Sequence, residues 1–183
     1  MRPDPAHIYA DAPLADVLAV LLRQFKRLLE ARGVALSDAD TRQLAAEMAA
    51  AAPPPGARAA AVGAALNAIV AESLGVLAGW NLTFPQALST GMDAMPGWTT
   101  TAEFLELANE KANAELRVAA GATLAAALGN LRGAGLLLAL IDHDANEVEA
   151  VVARRVLALR SGTDASAPGW PQQMRAWLSL RAD

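Results

Sequence analysis

Residues 57–79 read ARAAAVGAALNAIVAESLGVLAG, and the architecture follows from this stretch. At 100° per residue, Val62, Leu66, Ile69, Val70, Leu74 and Leu77 fall on one stripe. Ala60, Ala64, Ala68, Ala71, Gly75 and Ala78 fall on the opposite face, with Asn67 and Glu72 on the borders. A helix that is apolar all round is usually buried. The stretch is therefore expected to be the central helix, with large side chains packed on one side and a close helix contact on the other. A membrane span is not expected, because one central acid costs about 2.5–3.5 kcal/mol on insertion scales and alanine offsets little of it.

Outward from this helix, the same period recurs. Leu14, Val17, Leu18, Leu21, Leu22, Phe25, Leu28 and Leu29 share one face of a helix over about 13–32, with Gly33 as its stop. Ser37 with Asp40 three residues on is an acidic relative of the capping box, and the helix it opens ends at Pro53-Pro54-Pro55. Residues 1–12 carry two prolines and are expected to be extended. Thr83 with Pro85 starts a short helix that ends at Gly91, followed by a loop from Met92 to Trp98. Thr100 with Glu103 caps a long helix that can run to Leu128, with Gly129 as its stop. Asn130 caps a helix over about 131–141, and Asp144 with Glu147 caps another that ends before Gly162. Residues 161–169 read as a linker and about 171–181 as a last helix. No alternating pattern bounded by hairpin turns is present. The expected fold is all-α: a bundle of about seven to eight helices, with a central alanine-rich helix and a tethered C-terminal helix. Its parts are a domain over 1–160, a linker over 161–169, and an arm over 170–183 that docks on its own or a partner subunit.

At 183 residues the chain is long enough to bury a core without staples. It has no cysteine, which excludes disulfides, thiolate metal sites and cysteine nucleophiles. The net charge is −4, and no segment has the basic excess that phosphate neutralisation requires, so nucleic-acid binding is not expected. No basic stretch followed by an apolar one opens the sequence, and the expected location is the cytoplasm.

The segment from Ala125 to Leu159 resembles one HEAT-like helical repeat. Leu128-Gly129 closes one helix, Leu137 to Ile141 forms an apolar helix ending at Asp142, and Val148 leads a helix ending in Ala158-Leu159. Glu149 stands where the family usually has arginine, and no second copy occurs at that period. The resemblance implies an antiparallel helix pair, about residues 125–160, and protein–protein interaction in place of catalysis.

Candidate chemistry is sparse. On the long helix, Phe104, Leu105, Ala108, Ala112, Leu116, Ala119 and Thr123 form the apolar stripe, and Lys111 and Glu115 project near its centre. A buried charge must be paired or shift its pKa toward the neutral form. Lys111 and Glu115, with Glu72, are thus a candidate ligand-contacting polar pair; the plainer reading is a structural ion pair. Asp142-His143-Asp144-Ala145-Asn146 begins like a calcium loop, but Glu147 occupies the glycine position and Ala153 that of the bidentate glutamate. No metal site and no cofactor are expected. No nucleophile elbow or phosphate loop occurs.

The leading expectation is a non-enzymatic helical protein that acts through protein–protein contact or self-association, as a homodimer. Its candidate interface comprises Trp170, Met174, Trp177 and Leu178 on the C-terminal helix, and Ala64, Ala68, Ala71 and Gly75 on the central one. One alternative is a small-molecule-binding or enzymatic bundle using Lys111, Glu115 and Glu72. A second is a helix-turn-helix regulator presenting Arg23, Lys26, Arg27 and Arg42.

Overall fold

A computed structural model describes residues 5–50, 56–79, 101–143 and 148–181. They form eight α-helices and no strand: α1 (Pro5–Asp11), α2 (Leu14–Glu30), α3 (Asp38–Ala49), α4 (Ala57–Ala78), α5 (Thr101–Ala127), α6 (Ala134–His143), α7 (Val148–Ser161) and α8 (Trp170–Ser179). A 3-10 turn, Leu131–Gly133, leads into α6. The predicted short helix and the Met92–Trp98 loop, the Thr100 cap, and the Asp144/Glu147 cap lie outside the described residues.

Local chemistry starts and stops these helices. The capping box at α3 is reciprocal: the Asp40 N–H donates to Ser37 Oγ at 3.1 Å, and the Ser37 N–H donates to Asp40 Oδ2 at 2.9 Å. Asp40 is held below its ordinary pKa first by that Ser37 N–H, then by the Ser37 hydroxyl and, more weakly, by Arg58. Helices α2 and α5 both end on a glycine at positive φ, Gly33 at 80° and Gly129 at 85°. There the next residue's N–H turns back to a carbonyl of the last turn (Val34 to Leu29, Asn130 to Ala125), which satisfies otherwise orphaned acceptors.

Two elements differ from expectation. Residues 5–11 are helical, because Pro5 stands at the first helical position, where its missing N–H costs nothing. Docking on α7 holds this helix in place: Arg155 Nη1 donates to the Tyr9 carbonyl at 2.7 Å. The helix expected over 131–141 begins at 134 and continues to 143, with Asn130 capping the 3-10 turn through a bond from the Arg132 N–H.

Helix α5 is continuous through Gly121. It packs along α4 in the antiparallel sense, with Gly63 against Leu128 and Gly121 against Val70. A Cβ built on Gly121 would lie 2.8 Å from Val70 Cγ2 and 3.5 Å from the Phe25 ring, so this glycine marks where α2, α4 and α5 come closest. Phe25 and Leu22 of α2, Leu66 and Ile69 of α4, Leu124 of α5, and Val156 and Leu157 of α7 belong to one buried cluster. Helix α3 packs on α2, and α6 packs on α5 and α7.

The burial of α4 is one-sided. Val62, Leu66, Ile69 and Val70 are buried, as the large-residue stripe predicts, but Leu77 of that stripe is half-buried and Leu74 is exposed. Ala60, Ala64, Ala68, Ala71, Gly75 and Ala78 are all exposed. Among the described residues nothing makes the expected close contact on that face, and the small residues that permit close approach of α4 and α5 are Gly121 and Gly63. Of the most apolar 18-residue window of α4, 39 % is buried. Among the described residues it is the one helix long and apolar enough to cross a membrane.

Candidate functional site

The Lys111–Glu115 pair forms but is split by burial. Lys111 Nζ lies 3.6 Å from Glu115 Oε1; the Lys111 side chain is 9 % exposed and that of Glu115 57 %. The buried side of α5 runs through Lys111, Ala114, Gly121, Ala122 and Ala125, while Ala112 and Leu116 face outward. The stripe is thus rotated from the predicted one, so Glu115 stands at its edge instead of its centre. Phe104, Leu105 and Ala108 have side chains outside the described set.

Glu72 is not brought into that pair. It is exposed and bonds Arg32, with which it lines a crevice of about 110 Å³ together with Glu110 and Arg117. The three polar candidates therefore occupy two separate ion pairs, each with a solvent-facing carboxylate. Neither Glu72 nor Glu115 is an enclosed, desolvated carboxylate. Among the described residues no three His, Asp or Glu side chains converge to hold a metal ion. Asp142 is engaged by Arg175 instead.

The C-terminal candidates pack on their own chain. Trp170 and Met174 are fully buried, and Trp177 and Leu178 are half-buried. Two contacts orient Trp170: its Nε1–H donates to Thr163 Oγ1 at 2.9 Å, and the Arg154 guanidinium lies 5.2 Å from the ring centroid. The preceding loop is itself ordered by hydrogen bonds. Ser161 Oγ and Thr163 Oγ1 are 2.6 Å apart, and the Ser166 hydroxyl and N–H both donate to Asp164 Oδ1, which lowers the pKa of that carboxyl.

What remains open among the described residues is the α4 face. Ala64, Ala68, Ala71 and Gly75 lie on one side of a rigid 22-residue helix whose other side is anchored on α5. Spacings of three and four residues keep the small side chains in register, so a second helix can approach closely along the whole length. Leu74, 36 % exposed, borders this face. Chemically the surface is inert; its capacity is for shape and apolar contact.

Periodicity pointed to neither of two polar residues that organise the interior. Arg160 donates to the carbonyls of Met48 and Ala127, at the C-terminal ends of α3 and α5, and burial lowers its pKa from the ordinary arginine value. Arg155 reaches Tyr9, and its pKa too is lowered by burial. The one sequence signal was three arginines, Arg154, Arg155 and Arg160, spread among the apolar residues of α7.

Comparison with family models, with curated proteins and with solved structures finds no match to this chain.

Proposed function

We propose that this protein acts through protein–protein contact, as a homodimer whose two copies meet along the exposed face of α4. The observation that carries this reading is the exposure of the six small residues of that face, Ala60, Ala64, Ala68, Ala71, Gly75 and Ala78, on a helix apolar enough to span a membrane. Leaving such a face in water forgoes about 25 cal/mol per Å² of apolar area. A face made from a single helix is self-complementary across a two-fold axis, the commonest symmetry of soluble oligomers.

The area sets the expected strength. A helix of this length is about 33 Å long and about 10 Å across, so its exposed face offers on the order of 300 Å² per copy. That falls well below the roughly 800 Å² per partner of a stable complex. The dimer is therefore weak unless neighbouring elements join it, and its population rises with concentration. Sedimentation equilibrium checks this. The wild type shifts from monomer toward dimer as concentration rises, whereas Ala68→Arg stays monomeric with an unchanged thermal midpoint. A wild type that remains monomeric at the highest soluble concentration sinks the reading.

A further inference from the structure

Beside the N-terminal half of α4 lies an open groove of about 1140 Å³. Its walls are α4, the turn between α5 and α6, and α8. The floor is small and apolar, with Ala59, Gly63, Leu128 and Leu138 among its residues. Arg132, Arg175 and Arg181 line it, and among the described residues no carboxylate does. On a chain of net charge −4, a groove whose described lining holds three arginines and no acid runs against the overall balance.

The three arginines are held differently. Arg175 is bonded by Asp142, outside the lining. Arg181 stacks on Trp177, 4.2 Å from the ring centroid, and its Nη1 donates to the Trp177 carbonyl at 3.4 Å. Arg132 makes no side-chain hydrogen bond or ion pair among the described residues. Packing does not require this arrangement, since all three side chains belong to exposed residues. Like charges lining one groove repel each other, and an anion would relieve that repulsion. The amides of Asn67 and Asn130 line the same groove and offer further donors.

We infer that this groove binds a small amphipathic anion: a phosphate or carboxylate head held by Arg132 and Arg181, joined to an apolar body lying on the alanine and leucine floor. The chemistry is that of known ligand sites, which are mostly apolar with a few convergent polar groups and occupy roughly 300–1,000 Å³. Guanidinium pairs bind such oxyanions through two parallel hydrogen bonds. The groove shares Ala60 and Ala64 with the α4 face, but the arginines stand on the α5–α6 turn and on or next to α8, so their variants test the anion site while Ala68→Arg tests self-association.

Two fluorescent probes of the same shape test it: 8-anilino-1-naphthalenesulfonate, which is anionic, and N-phenyl-1-naphthylamine, which is neutral. The expected result is saturable binding of the anionic probe, weakened about tenfold or more in Arg132→Glu and in Arg181→Ala, with the neutral probe unaffected by either substitution. Unchanged circular dichroism and thermal midpoint establish that both variants are folded. Displacement by octyl phosphate or by octanoate, but not by octanol, then identifies the preferred head. No saturable binding, equal binding of the anionic probe to wild type and both variants, or displacement by octanol as readily as by the anions, overturns the proposal.

Discussion

Arg160 sits where two helices end. The C-terminal carbonyls of α3 and α5 carry the negative ends of their helix dipoles, and its guanidinium serves both. Removing it leaves Met48 O and Ala127 O short of a donor. Arg160→Met is expected to cost about 1–3 kcal/mol, read from urea unfolding, with Arg160→Lys recovering only part because an ammonium lacks the planar fork. Gly121 supplies a second test at this scale. Alanine is intrinsically the better helix former by about 1 kcal/mol, so Gly121→Ala would stabilise a free helix. Here its Cβ would meet Val70 at 2.8 Å, and a β-branched side chain in a helix has little freedom to turn away. Net destabilisation of about 1–2 kcal/mol is expected. Adding Val70→Ala should make the pair less damaging than the sum of the two single changes, a coupling that a double-mutant cycle in urea measures.

Helix α3 owes its start to Ser37 and Asp40. Ser37→Ala should lower stability by about 1 kcal/mol. The pH dependence has a definite sign. The folded pKa of Asp40 lies below the ordinary value of 3.8, so its stabilisation is fully present above that value and is lost as pH falls through the folded pKa. Thermal midpoints of wild type and Asp40→Asn should therefore differ at neutral pH and converge under acid; a constant gap would show that the carboxylate's charge is irrelevant. Such starts and stops were legible in the sequence because they are local: a cap and its partner are three residues apart, and Gly33 and Gly129 each end a helix within one turn. The rotational setting of α5 was not legible. Its alanines bury almost as readily on one face as on another, so the pattern near Ala112 and Leu116 gave the wrong phase and put Glu115 inward. The fate of the small face of α4 was equally hidden. Periodicity separates two faces of a helix, but which one meets the core depends on residues distant in sequence.

At the scale of the whole molecule, α8 is part of the shared core. Trp170 and Met174 have no exposed surface, and both belong to the buried cluster that includes α2, α4, α5 and α7. Trp170→Ala is expected to cost about 3–5 kcal/mol and to move the main helix-melting transition as a single cooperative event. If the main midpoint stayed fixed while only α8 was released, the last helix would be an appendage. Arg155 and Arg160 in α7 could not be assigned roles from sequence, because Arg155 finds Tyr9 across 146 positions and Arg160 finds Met48 across 112. That first separation also bears on how the chain is made. Ribosomes add roughly 5–20 residues per second, so Tyr9 leaves the exit tunnel about 7–30 s before Arg155 does. Helix α1 therefore acquires this partner only after 146 further residues have been added. A nascent chain halted between those points would present α1 undocked, as a handle for whatever cellular machinery surveys unfinished proteins.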